Sequence, residues 1–327
     1  MSNTSLFRTA ALFRAALLCV LSACGGGGGD TGAPAPAAPA PVPPPAAPAF
    51  AYIHEVDVIR VCRVEDADLS NCVEADTNAG MNLTPTLGMA VNGDHAYLAI
   101  NDDPFSSALV RCSIGADSTL FGCAPTALDP VDGRLSWVTF RDSMLYVGGS
   151  DSPRVRKCAV NADGSLEPCV GAGVPDSAAD AVGDLQFAGT SAYLLLRNAE
   201  PDEDFVVRCE IGADGSLSDC ADADVPGLAG PSNFTVHGNH LYVANTDANR
   251  VIHCVIADGG SLSGCADSGA RALEKPTDLA IRGSAAFIAN NGITGGVTRC
   301  TVTSYGLLSD CAPIPETGTN LYGIVFR

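Results

Sequence analysis

Twelve cysteines fall into six pairs: Cys62 with Cys72, Cys112 with Cys123, Cys158 with Cys169, Cys209 with Cys220, Cys254 with Cys265 and Cys300 with Cys311. The first members are 50, 46, 51, 45 and 46 residues apart, the period of a four-stranded propeller blade. Two residues after each first cysteine stands Val or Ile (Val64, Ile114, Val160, Ile211, Ile256, Val302). Three before each second stands Leu (Leu69, Leu120, Leu166, Leu217, Leu262, Leu308). The midpoint of a pair falls at Asp163-Gly164, Asp214-Gly215, Gly259-Gly260, Tyr305-Gly306 or Asp117-Ser118, residues that tolerate the positive φ of a hairpin turn. A turn there makes the two cysteines cross-strand neighbours, about 5 Å apart at Cα and within disulfide range. Six intra-repeat disulfides are expected. No C-x-x-C occurs, which argues against the pairs as metal ligands.

Ahead of each pair lies a second apolar strand: Ala51-Tyr52-Ile53, Ala96-Tyr97-Leu98, Leu145-Tyr146-Val147, Ala192-Tyr193-Leu194, Leu241-Tyr242-Val243 and Ala286-Phe287-Ile288. Before five of these comes another, around Met89, Val138, Leu185, Phe234 and Leu279. The sixth copy appears only at the end, as Gly323-Ile324-Val325-Phe326. A chain that starts at the second strand of a blade and finishes with its first closes a ring and leaves no open edge. The pattern predicts an all-β, six-bladed β-propeller over 50–327, with four-stranded antiparallel blades and one hairpin disulfide in each.

Disulfides require an oxidising compartment, and the N-terminus supplies an address. Residues 1–23 carry Arg8 and Arg14, no acid, and the short apolar run Ala15–Leu21, the layout of a signal peptide rather than of a permanent span. The run ends Leu21-Ser22-Ala23-Cys24, which resembles the lipobox of bacterial lipoproteins. The resemblance implies acylation of Cys24, anchoring to the membrane through lipid, and, with Gly25 rather than Asp following, the outer membrane, facing periplasm or exterior. Residues 24–49 then hold the cysteine and a Gly/Ala/Pro-rich tether that cannot bury a core and reaches about 60 Å if stretched.

With 18 Lys+Arg against 37 Asp+Glu the net charge is −19, and only two lysines, Lys157 and Lys275, are present. Nucleic acid is thereby excluded as a partner. Cationic envelope components, small molecules and divalent ions fit that charge better.

The segment Leu241-Tyr242-Val243-Ala244-Asn245-Thr246-Asp247 resembles the YVTN-type and lactonase-like β-propeller repeats of bacteria. Ala286-Phe287-Ile288-Ala289-Asn290 and Pro276-Thr277-Asp278-Leu279-Ala280-Ile281 are similar to other parts of that repeat. The family includes sugar lactonases and binding modules, so the resemblance speaks to fold more than to activity. Aligning the inner strands places Gly88, Trp137, Asp184, Asn233, Asp278 and Gly323 at one mouth of the channel. Asp184, Asn233 and Asp278 form an oxygen-bearing arc suited to Ca²⁺, or else a set of turn-capping Asx residues. Calcium-dependent propeller lactonases imply an ion that polarises an ester carbonyl, with Asp184, Asn233 and Asp278 as ligands and Glu55 as the nearest further acid. Loops leaving the second strands add Asn101, Asp102, Asp151, Asn198, Asn245, Asp247 and Asn290. His95, His237 and His240 are expected in exposed turns at the other mouth. His253 occupies a slot that holds Arg111, Lys157, Arg208 and Arg299 elsewhere, read as a row of solvated cations. No G-x-S-x-G or C-x-x-C-H occurs, which argues against a nucleophilic serine or covalent haem. Two functions remain: a non-catalytic binding or scaffolding module, or a metal-dependent lactonase or esterase.

Overall fold

Apolar residues on both faces of each second strand force it between two neighbouring blades, and that requirement organises the whole molecule. The computed structural model describes residues 49–327 except 56–57, 66–67, 76–85, 104–105, 127, 129–133, 150–151, 175–179 and 199–203. Residues 1–48, where the signal peptide, Cys24 and all of the tether but Ala49 are expected, lie outside the described residues. Ala47–Arg327 form one compact unit.

Blade 1 contains β1 (Ala49–Glu55), β2 (Ile59–Glu65) and β3 (Asp68–Glu74). Blade 2 is β4 (Thr86–Asn92), β5 (His95–Asp103), β6 (Ser106–Ile114) and β7 (Leu120–Pro125). Blade 3 is β8 (Leu135–Arg141), β9 (Met144–Gly149), β10 (Ser152–Ala159) and β11 (Val170–Gly171). Blade 4 is β12 (Ala181–Ala188), β13 (Ser191–Arg197), β14 (Phe205–Ile211) and β15 (Leu217–Asp222). Blade 5 is β16 (Pro231–His237), β17 (His240–Asn245), β18 (Arg250–Ile256) and β19 (Leu262–Asp267). Blade 6 is β20 (Pro276–Arg282), β21 (Ala285–Asn290), β22 (Val297–Val302) and β23 (Leu308–Ile314). The last strand, β24 (Leu321–Phe326), pairs antiparallel with β1, giving the sheet order β24-β1-β2-β3. Inner strands meet in sequence around the ring, including β20 with β24 and β24 with β4. The expected six-bladed propeller and its closure by the C-terminal strand are both present.

All six expected disulfides form within their blades. They join Cys62 to Cys72, Cys112 to Cys123, Cys158 to Cys169, Cys209 to Cys220, Cys254 to Cys265 and Cys300 to Cys311, with Cα–Cα distances of 4.0–4.3 Å. The cysteines are closer than the roughly 5 Å of a regular ladder, and in five blades they are not regular ladder partners. There the register between the outer two strands shifts at the first cysteine, at Cys62, Cys112, Cys209, Cys254 and Cys300. The residue before the second cysteine (Asn71, Gly122, Asp219, Gly264, Asp310) has φ between 49° and 62°. It is the extra residue of a β-bulge, so that Cys72, Cys123, Cys220, Cys265 and Cys311 each share one opposing cysteine with it. Blade 3 has Pro168 at that position. A proline ring fixes φ near −65° and removes the N–H, and there the outer strand β11 shrinks to two residues.

The strand-two tyrosines latch one blade to the next. Tyr52, Tyr97, Tyr146, Tyr193 and Tyr242 donate to the carbonyls of Ser118, Gly164, Gly215, Gly260 and Gly306, at 2.5–2.8 Å. Each acceptor is the hairpin-turn residue of the following blade, with φ of 67–80°. The sixth position is Phe287, which precedes blade 1, the one blade whose cysteines are ten rather than eleven apart. It packs instead on Phe326, ring centroids 5.3 Å apart. Tyr97→Phe is expected to cost about 1–2 kcal/mol, since it strands the Gly164 carbonyl. Denaturant unfolding measures this.

The slot before the first cysteine is not a row of solvated cations. Lys157 is buried, its Nζ donating to Asp214 O (2.7 Å), Asp214 Oδ2 (3.1 Å) and Ser216 Oγ (2.7 Å) of the next blade. Hydrogen bonds from Ser216 and then from Lys157 hold the Asp214 carboxyl well below its ordinary range. Arg111 likewise donates to Asp163 O (3.0 Å). His253 is buried beside Tyr242 and hydrogen-bonded to His240 at 2.8 Å, and burial lowers the pKa of both histidines. Blade 1 has Val61 in this slot, and Arg327 substitutes for the cation, bonding Gly115 O (2.5 Å) and Asp94 Oδ1 (2.8 Å) in blade 2. The strands place these cations and turns face to face, which the linear order of the sequence does not display.

Candidate functional site at the channel mouth

A β-bulge interrupts every inner strand near its start. The register against the second strand shifts between Thr86 and Gly88, Leu135 and Trp137, Val182 and Asp184, Pro231 and Phe234, and Pro276 and Asp278. In blade 1 the shift faces Leu321 and Gly323. A bulge re-aims the extra side chain, and here it turns Leu87, Ser136, Gly183, Ser232, Thr277 and Tyr322, one from each blade, toward a common space. They line a cavity of about 340 Å³ together with Asn233, Arg197, Thr246, Asp247, Lys275 and Asn291. The mouth is therefore lined one residue earlier than strict alternation predicts. Of the three arc residues, Asn233 alone lines the cavity.

Asp184 and Asp278 turn sideways and join neighbouring inner strands. Asp184 Oδ1 accepts from Leu185 N (2.7 Å), and its Oδ2 from Phe234 N of β16 (3.2 Å) and Gln186 Nε2 (3.4 Å). Asp278 repeats the geometry, with Oδ1 accepting from Leu279 N (2.8 Å) and Oδ2 from Ile324 N of β24 (3.0 Å). The Asn233 side chain is hydrogen-bonded to Asp278, which also feels the charge of Asp184. Burial pushes Asp184 up to about 6 and Asp278 up to about 7, the latter raised further by the charge of Asp184. His54 lies beside them: a Cβ on Gly323 would strike its Nε2 and come within 2.8 Å of Asp278 Oδ2. His54 Nδ1 bonds Thr86 O at 3.1 Å, and burial lowers its pKa to about 4. Sequence left His54 unassigned; the antiparallel pairing of β1 with β24 is what brings it here.

Both oxygens of each carboxylate already accept backbone N–H groups, and Glu55 pairs with Arg60 instead of joining the arc. Among the described residues no group of three or more His, Cys, Asp or Glu converges to hold a metal. Calcium takes six to eight oxygens, so these side chains do not by themselves fit its shell.

The other expected mouth residues divide between structure and lining. Asn245 accepts from Ala229 N (2.6 Å) and donates to Gly227 O (2.9 Å). Asn290 accepts from Glu274 N (3.1 Å) and donates to Gly296 O (2.8 Å). Both cap loops. Asn101 Nδ2 donates to Leu135 O at 2.6 Å, and Asn198 N to Asp204 Oδ1 at 3.0 Å. Asp247 lines the cavity. Asp151 and the Asp102 side chain lie outside what is described. Trp137 donates from Nε1 to Val182 O (2.7 Å) and locks blade 3 to blade 4. Sequence reasoning missed Arg197, Lys275, Ser136 and Tyr322, because only the bulges and the channel geometry bring them together.

No protein-family model and no curated protein matches this chain. Solved structures do. A chain of a nidogen/laminin complex superposes with a TM-score of 0.64 at 13% identity, over 85% of this chain and 98% of that one. A putative 6-phosphogluconolactonase from Bacteroides uniformis gives 0.58 at 15% identity, over 82% and 83%. The periplasmic gluconolactonase of Pseudomonas aeruginosa gives 0.54 at 16% identity, over 83% and 84%. At such identities the likeness is one of fold: the chain is built like these β-propellers, some of them named as lactonases.

Proposed function

We propose that the protein is an envelope propeller, lipid-anchored through Cys24, that binds a small polar ligand at the channel mouth without chemical turnover, as a capture or scaffolding module. The observation that supports this is the cavity whose lining draws residues from all six inner strands. Pockets of this size with a few convergent polar groups are ordinary small-molecule sites.

Hydrolysis of a lactone or ester is the second reading. It is favoured by the buried Asp184 and Asp278, whose raised pKa values suit proton transfer near neutral pH, and by the fold shared with proteins named as lactonases. Water would add to the carbonyl and the ring C–O bond would break to give a hydroxy acid. The two readings separate on one assay. Incubation with δ-gluconolactone and a chromogenic ester should give no rate above buffer if the module is non-catalytic. A rate that falls at least a hundredfold in the double variant Asp184→Asn with Asp278→Asn would establish the hydrolase instead. Melting in Ca²⁺ and in EDTA, run beside it, tests calcium: a bound ion must raise the midpoint of the wild type and not of the double variant.

A further inference from the structure

Four buried side-chain polar atoms have no hydrogen-bond partner among the described residues, and two of them, Ser136 Oγ and Arg197 Nε, belong to the lining of the mouth cavity. Unpaired buried polar atoms are rare in folded proteins and call for a partner. Arg197 Nη2 is occupied by Pro231 O (2.9 Å) and Ser232 O (2.7 Å), which fixes the guanidinium and leaves its Nε–H unused beside Gly183, itself a lining residue. Lys275, one of only two lysines in the chain, is exposed at the same rim.

The remaining polar groups of the wall have mostly spent their donors. Thr246 donates to Pro276 O (2.6 Å) and shares a 2.7 Å bond with Ser232 Oγ. Thr277 donates to Leu321 O (2.9 Å), and Asn291 Nδ2 to the same carbonyl (3.2 Å). These hydroxyls and amides are left with lone pairs to offer. The wall thus shows donors without a partner among the described residues at Arg197 Nε and Ser136 Oγ, an exposed cation at Lys275, and acceptors elsewhere.

We propose that the mouth takes a small hydroxylated monocarboxylate, its carboxylate received by Arg197 Nε, Lys275 Nζ and Ser136 Oγ and its hydroxyls donating to the opposite wall. The assignment rests on the mouth being a ligand site and adds the ligand's class. A dianion is disfavoured, because Asp184 and Asp204 face Arg197 and Asp247 shares the rim. A neutral polyol would offer Arg197 Nε and Lys275 Nζ no charged acceptor of its own. In a chain of net charge −19, two cations at one cavity form a local exception that an anion can use.

The test is calorimetric titration of the intact oxidised protein with glucuronate, with its neutral isostere glucuronamide and with glucose 6-phosphate at constant ionic strength. Glucuronate is expected to bind at least about tenfold more tightly than either, the usual scale of a charge-assisted hydrogen bond. Lys275→Gln should lose about tenfold for glucuronate and nothing for glucuronamide, while Lys275→Arg keeps binding; the residue is exposed, so the fold is not at risk. If glucuronamide binds as tightly as glucuronate, or Lys275→Gln changes nothing, the carboxylate assignment is overturned while the mouth still holds a ligand. If none of the three gives heat, the carboxylate assignment also falls, and the mouth is then judged by a broader panel against a plugged variant.

Discussion

Reduction of the six disulfides is expected to unfold the protein at or near 37 °C. Each bridge closes a loop with a sequence separation of ten or eleven, worth about 3 kcal/mol in the chain-entropy account. Six together come to ~18 kcal/mol on that account, more than the whole net stability of an ordinary domain. Real losses are smaller where the reduced hairpins keep residual structure, yet even half that sum is decisive. Removal of one bridge, by Cys254→Ser together with Cys265→Ser, is expected to cost about 2–3 kcal/mol. The matching double variant of Cys158 and Cys169 should cost more, because Pro168 has reduced β11 to two residues and little ladder remains to hold that edge. Urea unfolding with and without a phosphine reductant measures both effects. A reduced protein melting within a few degrees of the oxidised one would show that the latches alone carry the ring.

The second large effect is a pH profile with two opposing arms. Asp278 and Asp184 have folded pKa values of about 7 and about 6 against 3.8 unfolded. The native state therefore holds protons that the unfolded state releases, and this contribution to stability is lost as pH rises from about 4 to 7. His54 is opposite, its folded value about 4 against 6.5: its contribution is present above 6.5 and lost as pH falls toward 4. His240 and His253, lowered by burial, add to the histidine arm. At about 1.4 kcal/mol per pKa unit the two acids together are of the order of 7 kcal/mol and His54 of the order of 3 kcal/mol, so the wild-type midpoint is expected to fall as pH rises from about 4.5 to about 6.5, with the histidine arm offsetting only part of the acid arm. The double variant Asp184→Asn with Asp278→Asn removes one arm. It loses acceptors to Phe234 N or Ile324 N at every pH, a uniform cost, but its midpoint should climb by several degrees across the same window. Asn233 shows that the position accepts an amide. Melting curves that run parallel for wild type and variant would mean that neither carboxyl holds its proton in the folded state.

How much of this was legible in the sequence depends on the scale of the interaction. The repeat, the ring closure and the cysteine partners follow from residue spacing, because pairing within a hairpin is local and the missing inner strand could be found only at Gly323–Phe326. Strict alternation failed at the mouth. One bulge per inner strand shifted the lining from Asp184 to Gly183 and from Asp278 to Thr277, and a bulge leaves no mark in a two-residue periodicity. The Tyr97–Gly164 latch and the Lys157–Asp214 grip join residues 67 and 57 apart in sequence. Each looked local, as a core tyrosine or a surface cation, until the neighbouring blade was in place. His54 reached the acids only through the pairing of the first and last strands.

The claim on which the functional account depends is that the channel mouth is a ligand site, and plugging it tests that most directly. Ser136→Trp would fill the cavity of about 340 Å³ from a half-buried position whose hydroxyl has no partner among the described residues to lose. Thermal melting of wild type and variant against a panel of hydroxylated carboxylates, their amides and divalent cations should show at least one compound that raises the wild-type midpoint. At a hundredfold excess over its dissociation constant the gain is about 2.7 kcal/mol, several degrees, and the plugged variant should show none of it. Equal shifts in the two proteins, or no shift in either across the panel, would contradict the account and move the search for function to the outer faces of the blades.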